Sequence, residues 1–404
     1  MEKSEPQRHG TEQPKPERPR PRKPGTEQPK PERPNAKRPK VAVLFGGCSP
    51  EYGISLQSAY SVVTHFDKNA YELILLGITR RGEWFYFRGS PEQIRDDTWN
   101  NPASCVKAII SPDRSTRGIV VFEKNGIRSI RLDAALPILH GRNGEDGTLQ
   151  GLLELAGIPV VGNKTLASAL CMDKSRAHAI VKAAGIKVPR SFTIQAESEE
   201  TCCLEQVEQQ TEQQPTQQTV QQAEQFAEQL GYPLFVKPVN AGSSYGITKV
   251  FNKSELPQAV RLAFCYDKEI IIEENIPGFE VGCAVLENGR LVVGLLDEIE
   301  LAGSFFDHKE KYTLETSAIY VPARISEHTT KEANEAALAI YRALGCKGFA
   351  RVDMFITPTS EIVFNEVNTI PGFTAHSRYP NMLKAIGLTF EEVINTAIET
   401  ALKK

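Results

Sequence analysis

Between Arg351 and Arg378 the chain reads Arg-Val-Asp-Met-Phe-Ile, a polar turn, then Glu-Ile-Val-Phe-Asn-Glu-Val-Asn-Thr-Ile-Pro-Gly-Phe-Thr-Ala-His-Ser-Arg. Two apolar runs, Val352 to Ile356 and Ile362 to Val367, flank Thr357-Pro358-Thr359-Ser360, the pattern of a β-hairpin. Asp353 and Glu366 are nearly symmetric about that loop, so Asp353 is expected across from Glu366 to within one register step. Strand side chains alternate with period two, so Glu366 and Asn368 share a face. That face carries two carboxylates and a carboxamide, all hard oxygen donors. Mg²⁺ is held this way in phosphoryl-transfer sites, with nucleotide phosphates and water completing its shell. The plainer reading is a hairpin whose polar face meets water. The residues after the second strand weigh against it. Ile370-Pro371-Gly372 ends that strand, and Thr374 to Ser377 precede an apolar, helix-like run (Met382, Leu383, Ile386, Leu388). Backbone N–H groups and hydroxyls thereby come beside the metal face, a geometry suited to anions.

Other stretches must deliver whatever such a metal face acts on. Pro233 to Pro238 is a strand that includes Lys237, and Ala241-Gly242-Ser243-Ser244-Tyr245-Gly246-Ile247 is a small-residue loop before a strand at Thr248 to Val250. Glycines let backbone approach phosphates closely, and amides, hydroxyls and the lysine supply donors and charge. The order of a Walker loop is missing and strands flank this loop on both sides, so a structural hairpin and a phosphate flap are both open readings. Ile270 to Ile276 is a further strand, and Val281 to Leu286 with Arg290 to Leu296 alternate as an antiparallel sheet should. The charged stretch Phe305 to Tyr312 reads as a loop, in which His308 is more ordinarily a surface residue than a catalyst.

At the N-terminal end, Val41 to Phe45 is a buried strand, Gly46-Gly47 a turn, Ser55 to Phe66 a helix and Leu73 to Ile78 a second strand, the opening of an α/β sheet whose ligands gather beyond the strand C-termini. Glu51 stands at that point, although a lone acid in a loop is usually only solvated. Residues 80 to 130 read as an aromatic, turn-rich elaboration. Ala134 to Leu139 is the next strand, ending in the polar glycine loop His140-Gly141-Arg142-Asn143-Gly144-Glu145-Asp146-Gly147. A helix over Thr148 to Leu155, a strand over Ile158 to Gly162 and a helix over Leu166 to Ala184 carrying Asp173-Lys174 complete this part.

Composition bounds the class. The 404 residues suffice for two or three domains. Residues 1 to 39 hold the decapeptide Gly-Thr-Glu-Gln-Pro-Lys-Pro-Glu-Arg-Pro twice and read as a disordered, basic, proline-rich tail on which no catalysis depends. Residues 1 to 40 carry a surplus of six positive charges within a net −3, so the remainder is about nine negative, which weighs against nucleic acid as a partner. Residues 196 to 229 hold many Gln, eight Glu and no Lys or Arg, and read as a partly helical surface insertion. The eight cysteines show no C-x-x-C pair and read as reduced thiols. With a polar N-terminus and no apolar run approaching the roughly 18 residues of a membrane span, a soluble cytoplasmic protein is expected.

Five blocks, Phe45-Gly46-Gly47 to Leu56, His140 to Gly151, Met172-Asp173-Lys174, Lys237 to Gly246 and Arg351 to Ser377, occur in an order that resembles the D-alanine-D-alanine ligase family of the ATP-grasp superfamily, over nearly everything from Lys40 onward. Gly282-Cys283-Ala284-Val285, Phe305-Phe306-Asp307 and His376-Ser377-Arg378-Tyr379-Pro380-Asn381-Met382 look most like the VanG-type D-alanine-D-serine ligases. The resemblance implies a mixed α/β and α+β multidomain chain: the tail (1–39), an open α/β domain binding the first D-alanine (40–162), a central ATP-grasp subdomain (163–273) and a C-terminal subdomain with the metal site (274–404).

It implies ATP-dependent joining of D-alanine to D-serine or D-alanine through an acylphosphate. The alternatives are another ATP-grasp carboxylate-amine ligase or an inactive nucleotide-binding regulator. Carried over by motif position, Lys174 and Lys237 hold phosphates, Glu273 the adenine region, Glu280 the ribose, and Lys311 reaches the nucleotide. Asp353, Glu366 and Asn368 bind two Mg²⁺ (or Mn²⁺) ions, and Arg351 stabilises the transferred phosphoryl. Glu51 receives the first ammonium with Ser243 and Tyr312. His140 binds substrate, and Ser377 and the Gly372 amide lie on the acceptor side. The partners are small molecules (ATP, D-alanine and the second D-amino acid), in a homodimer, with no nucleic acid and no membrane. His308, Gly53 and Arg378 depart from common family residues and leave the acceptor open.

Overall fold

The computed structural model describes residues 38–196, 215–242, 244–301 and 317–403. Ser243, His308, Lys311, Tyr312 and the repeats of the tail lie outside the described residues, as do Leu204 and Val207 of the Gln/Glu-rich segment.

The chain from Arg38 onward opens with β1 (Lys40–Gly46), α1 (Tyr52–Thr64) and β2 (Glu72–Ile78), followed by β3 (Trp84–Phe87), α2 (Pro91–Arg95), β4 (Cys105–Ile110), β5 (Gly118–Glu123), β6 (Gly126–Arg131) and β7 (Ala134–Ile138). These strands form one sheet in the order β6-β5-β4-β3-β2-β1-β7. β1 pairs in parallel with both β2 and β7. Residues 80 to 130, expected to be turn-rich elaboration, are instead the antiparallel half of this sheet. β6 is the hardest of these strands to read from its residues, since it leaves five of the six exposed. Val41, Val43 and Phe45 face α1 on one side of the sheet, while Ala42 and Leu44 share the opposite core with α3 (Thr148–Leu155). The strand expected over Ile158 to Gly162 reduces to one bridge, Ala135 to Val160: Pro159 has no N–H to donate, and Gly162 turns the chain at φ +119°.

The helix expected over Leu166 to Ala184 is two, α4 (Thr165–Met172) and α5 (Lys174–Ala183). Asp173 sits in extended backbone between them and accepts the Arg176 N–H with its carboxylate, an N-cap that restarts the helix. Ala177 and Val181 of α5 pack with Cys171 into the core of the C-terminal sheet.

A four-stranded sheet comes next, built from β8 (Ser191–Gln195), β9 (Leu234–Pro238), β10 (Thr248–Val250) and β11 (Glu269–Glu274) in the order β10-β9-β11-β8. α6 (Gln217–Leu230) and α7 (Leu256–Phe264) bury Ala223, Ala227, Ala259 and Val260 against it. Phe226 of the Gln-rich helix stacks on Phe192 at 4.3 Å.

The C-terminal sheet comprises β12 (Phe279–Asn288), β13 (Arg290–Val293), β14 (Asp297–Leu301), β15 (Ser317–Tyr320), β16 (Phe349–Ile356) and β17 (Ile362–Asn368), in the order β15-β14-β12-β16-β17 with β13 on β12. Between β15 and β16 runs α8 (Glu327–Ala343), and α9 (Arg378–Lys384) and α10 (Phe390–Leu402) close the chain. Val281 to Leu286 do not alternate as expected. All six are buried, because α8 covers one face of β12 while α9 and α10 cover the other. A strand buried on both faces loses its period-two signature.

Candidate functional site

The β16–β17 hairpin pairs Asp353 with Glu366 and Arg351 with Asn368. The loop is longer than four residues, since β16 ends at Ile356 and β17 begins at Ile362. Continued unbroken, that register would pair Asp353 with Asn365, and a bulge between Asp353 and Met354 moves the partner one residue on to Glu366. Bulges re-aim side chains beside functional sites, and here the result is four polar groups at two adjacent cross-strand positions.

They are tightly interlocked. Arg351 Nε donates to Asp353 Oδ1 at 2.8 Å and its terminal nitrogen to Oδ2 at 2.7 Å, a bidentate pair. Asn368 Nδ2 donates to Asp353 Oδ2 at 2.9 Å and to Glu366 Oε1 at 3.4 Å. Beneath lies a second arginine. Arg378 forks onto Asp297 with two bonds of 2.8 Å, donates to Glu280 Oε1 at 2.9 Å and stands 3.6 Å from Asp353 Oδ1. Burial alone would raise the Asp297 carboxyl, but the guanidinium of Arg378 outweighs it and holds the group below the ordinary carboxylate range.

Asp353, Glu366, Asp297 and Glu280 face two guanidinium groups, a formal surplus of two negative charges. Together with a carboxamide that can turn its oxygen inward, this donor set fits a hard divalent cation. Asp353 is only 1% exposed, with both oxygens engaged by arginine, whereas Glu366 lines the open cavities. Among the described residues no group of three or more His, Cys, Asp or Glu is arranged to hold a metal ion.

On one side of the hairpin, between the four-stranded and C-terminal sheets, opens a cleft of about 1030 Å³. Its walls include Phe235, Ile276, Phe279, Ile299 and Phe355, and its charged lining includes Lys174, Lys237, Glu273 and Glu280. Lys174 starts α5 and donates to the Ala241 carbonyl at 2.7 Å, anchoring the small-residue loop between β9 and β10. That loop joins two antiparallel strands, as the hairpin reading expects. Lys237 is bonded to Glu273. Burial presses the Glu273 carboxyl upward, yet Lys237, His178 and Lys174 outweigh it and keep it low. Among the described residues its Oε1 has no hydrogen-bond partner, and it faces His178 Nδ1 at 3.9 Å.

On the other side lies a cavity of about 1020 Å³ lined by Glu51, Gly53, Ser58, His140, Glu145, Arg351, Asn368, Gly372 and Ser377. A neck bordered by Glu145, Lys174, Gly242, Glu366 and Asn368 lies between it and the cleft. Glu51 caps α1 and is 6% exposed. Its carboxylate is wedged between two glycines: a Cβ on Gly141, whose φ is +73°, would stand 2.2 Å from Glu51 Oε2, and one on Gly242 would stand 2.9 Å away. Only a backbone without side chains there lets the polar loop and the flap close on the same carboxylate. Arg378, one of the departures from common family residues, points into the Asp297 and Glu280 network. The structure thus brings Glu51, His140, Arg351, Asp353, Glu366, Asn368, Gly372 and Ser377 around one cavity and its floor, and Lys174, Lys237, Glu273 and Glu280 around the adjoining cleft.

Sequence reasoning singles out neither Asp297 nor Glu145. Asp297 is a lone acid beginning a buried strand, a signal visible only once Arg378 is known to need a partner. Glu145 stands inside the polar glycine loop after β7, where no local feature distinguishes it from Asp146.

Residues 40–163 match the family model for the D-ala D-ala ligase N-terminus, and residues 201–399 match that for the D-ala D-ala ligase C-terminus. The solved VanG D-Ala:D-Ser ligase from Enterococcus faecalis is 51% identical with a TM-score of 0.78, covering 90% of this chain and 100% of that one. A putative D-alanine–D-lactate ligase of Streptomyces coelicolor is 42% identical over 90% of this chain and 97% of its own length. The vancomycin/teicoplanin A-type resistance protein VanA of Enterococcus faecium is 40% identical over 90% and 98%.

Proposed function

The chain belongs to the D-alanine–D-alanine ligase family, and from that premise we propose that it is an ATP-dependent ligase joining D-alanine to a second D-amino acid, D-serine or D-alanine, for peptidoglycan precursors. One observation carries the reading: the Arg351, Asp353, Glu366 and Asn368 face lies where a nucleotide-sized cleft meets a polar cavity containing a shielded carboxylate, Glu51.

In this reading the γ-phosphoryl of ATP passes to a carboxylate oxygen of the first D-alanine, leaving ADP and an acylphosphate. The amino nitrogen of the second D-amino acid attacks the acyl carbon, the carbon–oxygen bond to phosphate breaks, and the amine gives up a proton. Glu51 pairs with the first ammonium, Ser243 and Tyr312 complete its shell, and His140 borders the same space. Lys174, Lys237 and Lys311 neutralise phosphates. The unpartnered Glu273 Oε1 suits a donor such as the adenine amino group, and Glu280 suits a ribose hydroxyl. Arg351 opposes charge growing on the phosphoryl and the tetrahedral oxygen, and Ser377 with the Gly372 amide receives the acceptor. Asp353, Glu366 and Asn368 would hold two Mg²⁺ or Mn²⁺ ions, which supply charge neutralisation to the phosphates when bound. Catalysis is then chiefly positioning and electrostatics, with closure excluding the water that would hydrolyse the acylphosphate.

The domain division at 40–162, 163–273 and 274–404, a homodimer and a cytoplasmic location complete the proposal. Exposed Ile109, Phe122 and Ile127 on β4 to β6 give a dimer an apolar surface, and among the described residues no helix is long and apolar enough to cross a membrane. The test is phosphate release with ATP, Mg²⁺ and D-alanine, supplied alone or with D-serine, with products identified by mass. A D-alanine-dependent dipeptide is expected. ATP binding without D-alanine-dependent release would overturn the assignment.

A further inference from the structure

Ile370 lies two residues beyond the metal-site hairpin, and both sides of its peptide backbone are held by one distant loop. His140 Nδ1 bonds the Ile370 carbonyl at 3.0 Å, and the Ile370 N–H donates to Glu145 Oε1 at 3.0 Å. These contacts span 230 and 225 residues of sequence. Glu145 Oε2 accepts the Gly141 N–H at 2.8 Å, so the same carboxyl also stiffens its own loop. Two flanking bonds extend the grip: Asn163 Nδ2 donates to the Thr369 carbonyl at 3.2 Å, and the Phe373 N–H donates to Ser58 Oγ at 3.4 Å.

The tautomer of His140 is set by its partners. A carbonyl oxygen only accepts, so Nδ1 carries the proton, and Nε2 accepts from Ser58 Oγ at 3.1 Å. Both ring nitrogens are therefore spent on protein. Burial, with Arg351 nearby, depresses the imidazole to about 4, which keeps it neutral.

We propose that His140 and Glu145 are positioning residues that latch the Ile370 peptide, and thereby fix the Gly372 to Ser377 stretch that receives the second amino acid. This deepens the ligase reading and rests on it for the identity of what binds there. A substrate-binding imidazole would keep one nitrogen for its ligand; this one reaches the substrate only through the loop it holds.

The test uses the full-length protein and side chains that mimic half of each grip. Asparagine at 140 places a donor where Nδ1 stands, and glutamine at 140 places an amide where Nε2 stands. Glu145→Gln leaves one acceptor for two N–H donors. Without ligands, amide hydrogen exchange across residues 369–377 should quicken about tenfold in Glu145→Gln and His140→Gln, with the β16–β17 ladder unchanged. His140→Asn, which keeps a donor at the Nδ1 position, should exchange across 369–377 at close to the parent rate. In turnover, KM for the second D-amino acid should rise about tenfold in the two loosened variants, with KM for ATP unmoved and kcat changed less. Unaltered exchange across 369–377 would overturn the latch. So would equal impairment of His140→Asn and His140→Gln with a raised KM for the first D-alanine, the mark of an imidazole that touches substrate directly. If the parent protein releases no phosphate in response to D-alanine, the ligase reading fails while the exchange measurement still decides the latch.

Discussion

The floor of the site and its rim are built in opposite ways. On the floor, Arg351, Asp353, Glu366 and Asn368 are placed by one strand pairing, so neighbours in the chain become neighbours in space. At the rim, His140, Glu145 and Ser58 reach backbone groups of residues 370–373, more than two hundred positions away. The floor holds charge through side chains; the rim holds geometry through peptides. Damage to the floor should therefore remove chemistry, whereas damage to the rim should leave chemistry available and blur where the substrates sit.

The largest effect separates these two. Arg351→Ala or Glu366→Ala should lower kcat by on the order of a thousandfold, the cost of losing one preorganised electrostatic group in a shielded site. The protein should remain folded, since Asn368 and Arg378 still face Asp353. Phosphate release and circular dichroism together check this, and near-normal turnover in either variant would end the floor assignment.

Arg378→Leu comes next and breaks the floor from below. It leaves Asp297, which is 0% exposed, without its bidentate partner. Stranding a buried charge costs about 3–5 kcal/mol, so the urea midpoint should fall sharply. An Arg378→Leu, Asp297→Leu double variant should recover much of that loss, because removing both charges removes the unpaired one. If the single variant unfolds at the same urea concentration as the parent protein, the network is not holding the hairpin.

The same contrast decides what is legible in the chain. The face of Arg351, Asp353, Glu366 and Asn368 is legible because a hairpin converts spacing into pairing; its register is less so, since the loop and the bulge each shift the pairing by one residue. The parallel strands β1, β2 and β7 are legible as continuous apolar runs. β6 is not, because five of its six residues are exposed and Arg128, Ser129 and Arg131 among them are polar. Sequence reading passes over α7, α8 and α10 although each has a clear apolar stripe, for instance Ala333, Ala337 and Ile340 at helical spacing in α8. The role of Glu145 is hidden, because nothing within ten residues of it indicates that its partner is Ile370. The orientation of Arg378 is hidden as well, because it depends on Asp297 and Glu280, which lie far from it in the chain.

The smallest expected effect belongs to the rim alone and appears as a pH dependence of stability. Shielding from water, with Glu51 and Glu366 close by, pushes the Glu145 carboxyl up to about 8 against an ordinary 4.5. The folded form therefore retains a proton that the unfolded chain releases, and the stability this contributes is lost as pH rises toward 8. His140 acts in the reverse sense. Depressed to about 4 from 6.5, it must stay neutral in the fold, so its contribution is present above 6.5 and is lost as pH falls toward 4. The two slopes oppose each other between 4.5 and 6.5, and above 6.5 Glu145 acts alone. The melting temperature should thus decline by on the order of 2 °C between pH 6.5 and 8. Glu145→Gln should flatten that decline, and His140→Asn should leave it in place while easing the loss below 6.5. A parent profile that stays level from 6.5 to 8 would mean that Glu145 is already ionised in the fold, its carboxylate still accepting the Gly141 and Ile370 N–H groups but with no retained proton to make stability depend on pH.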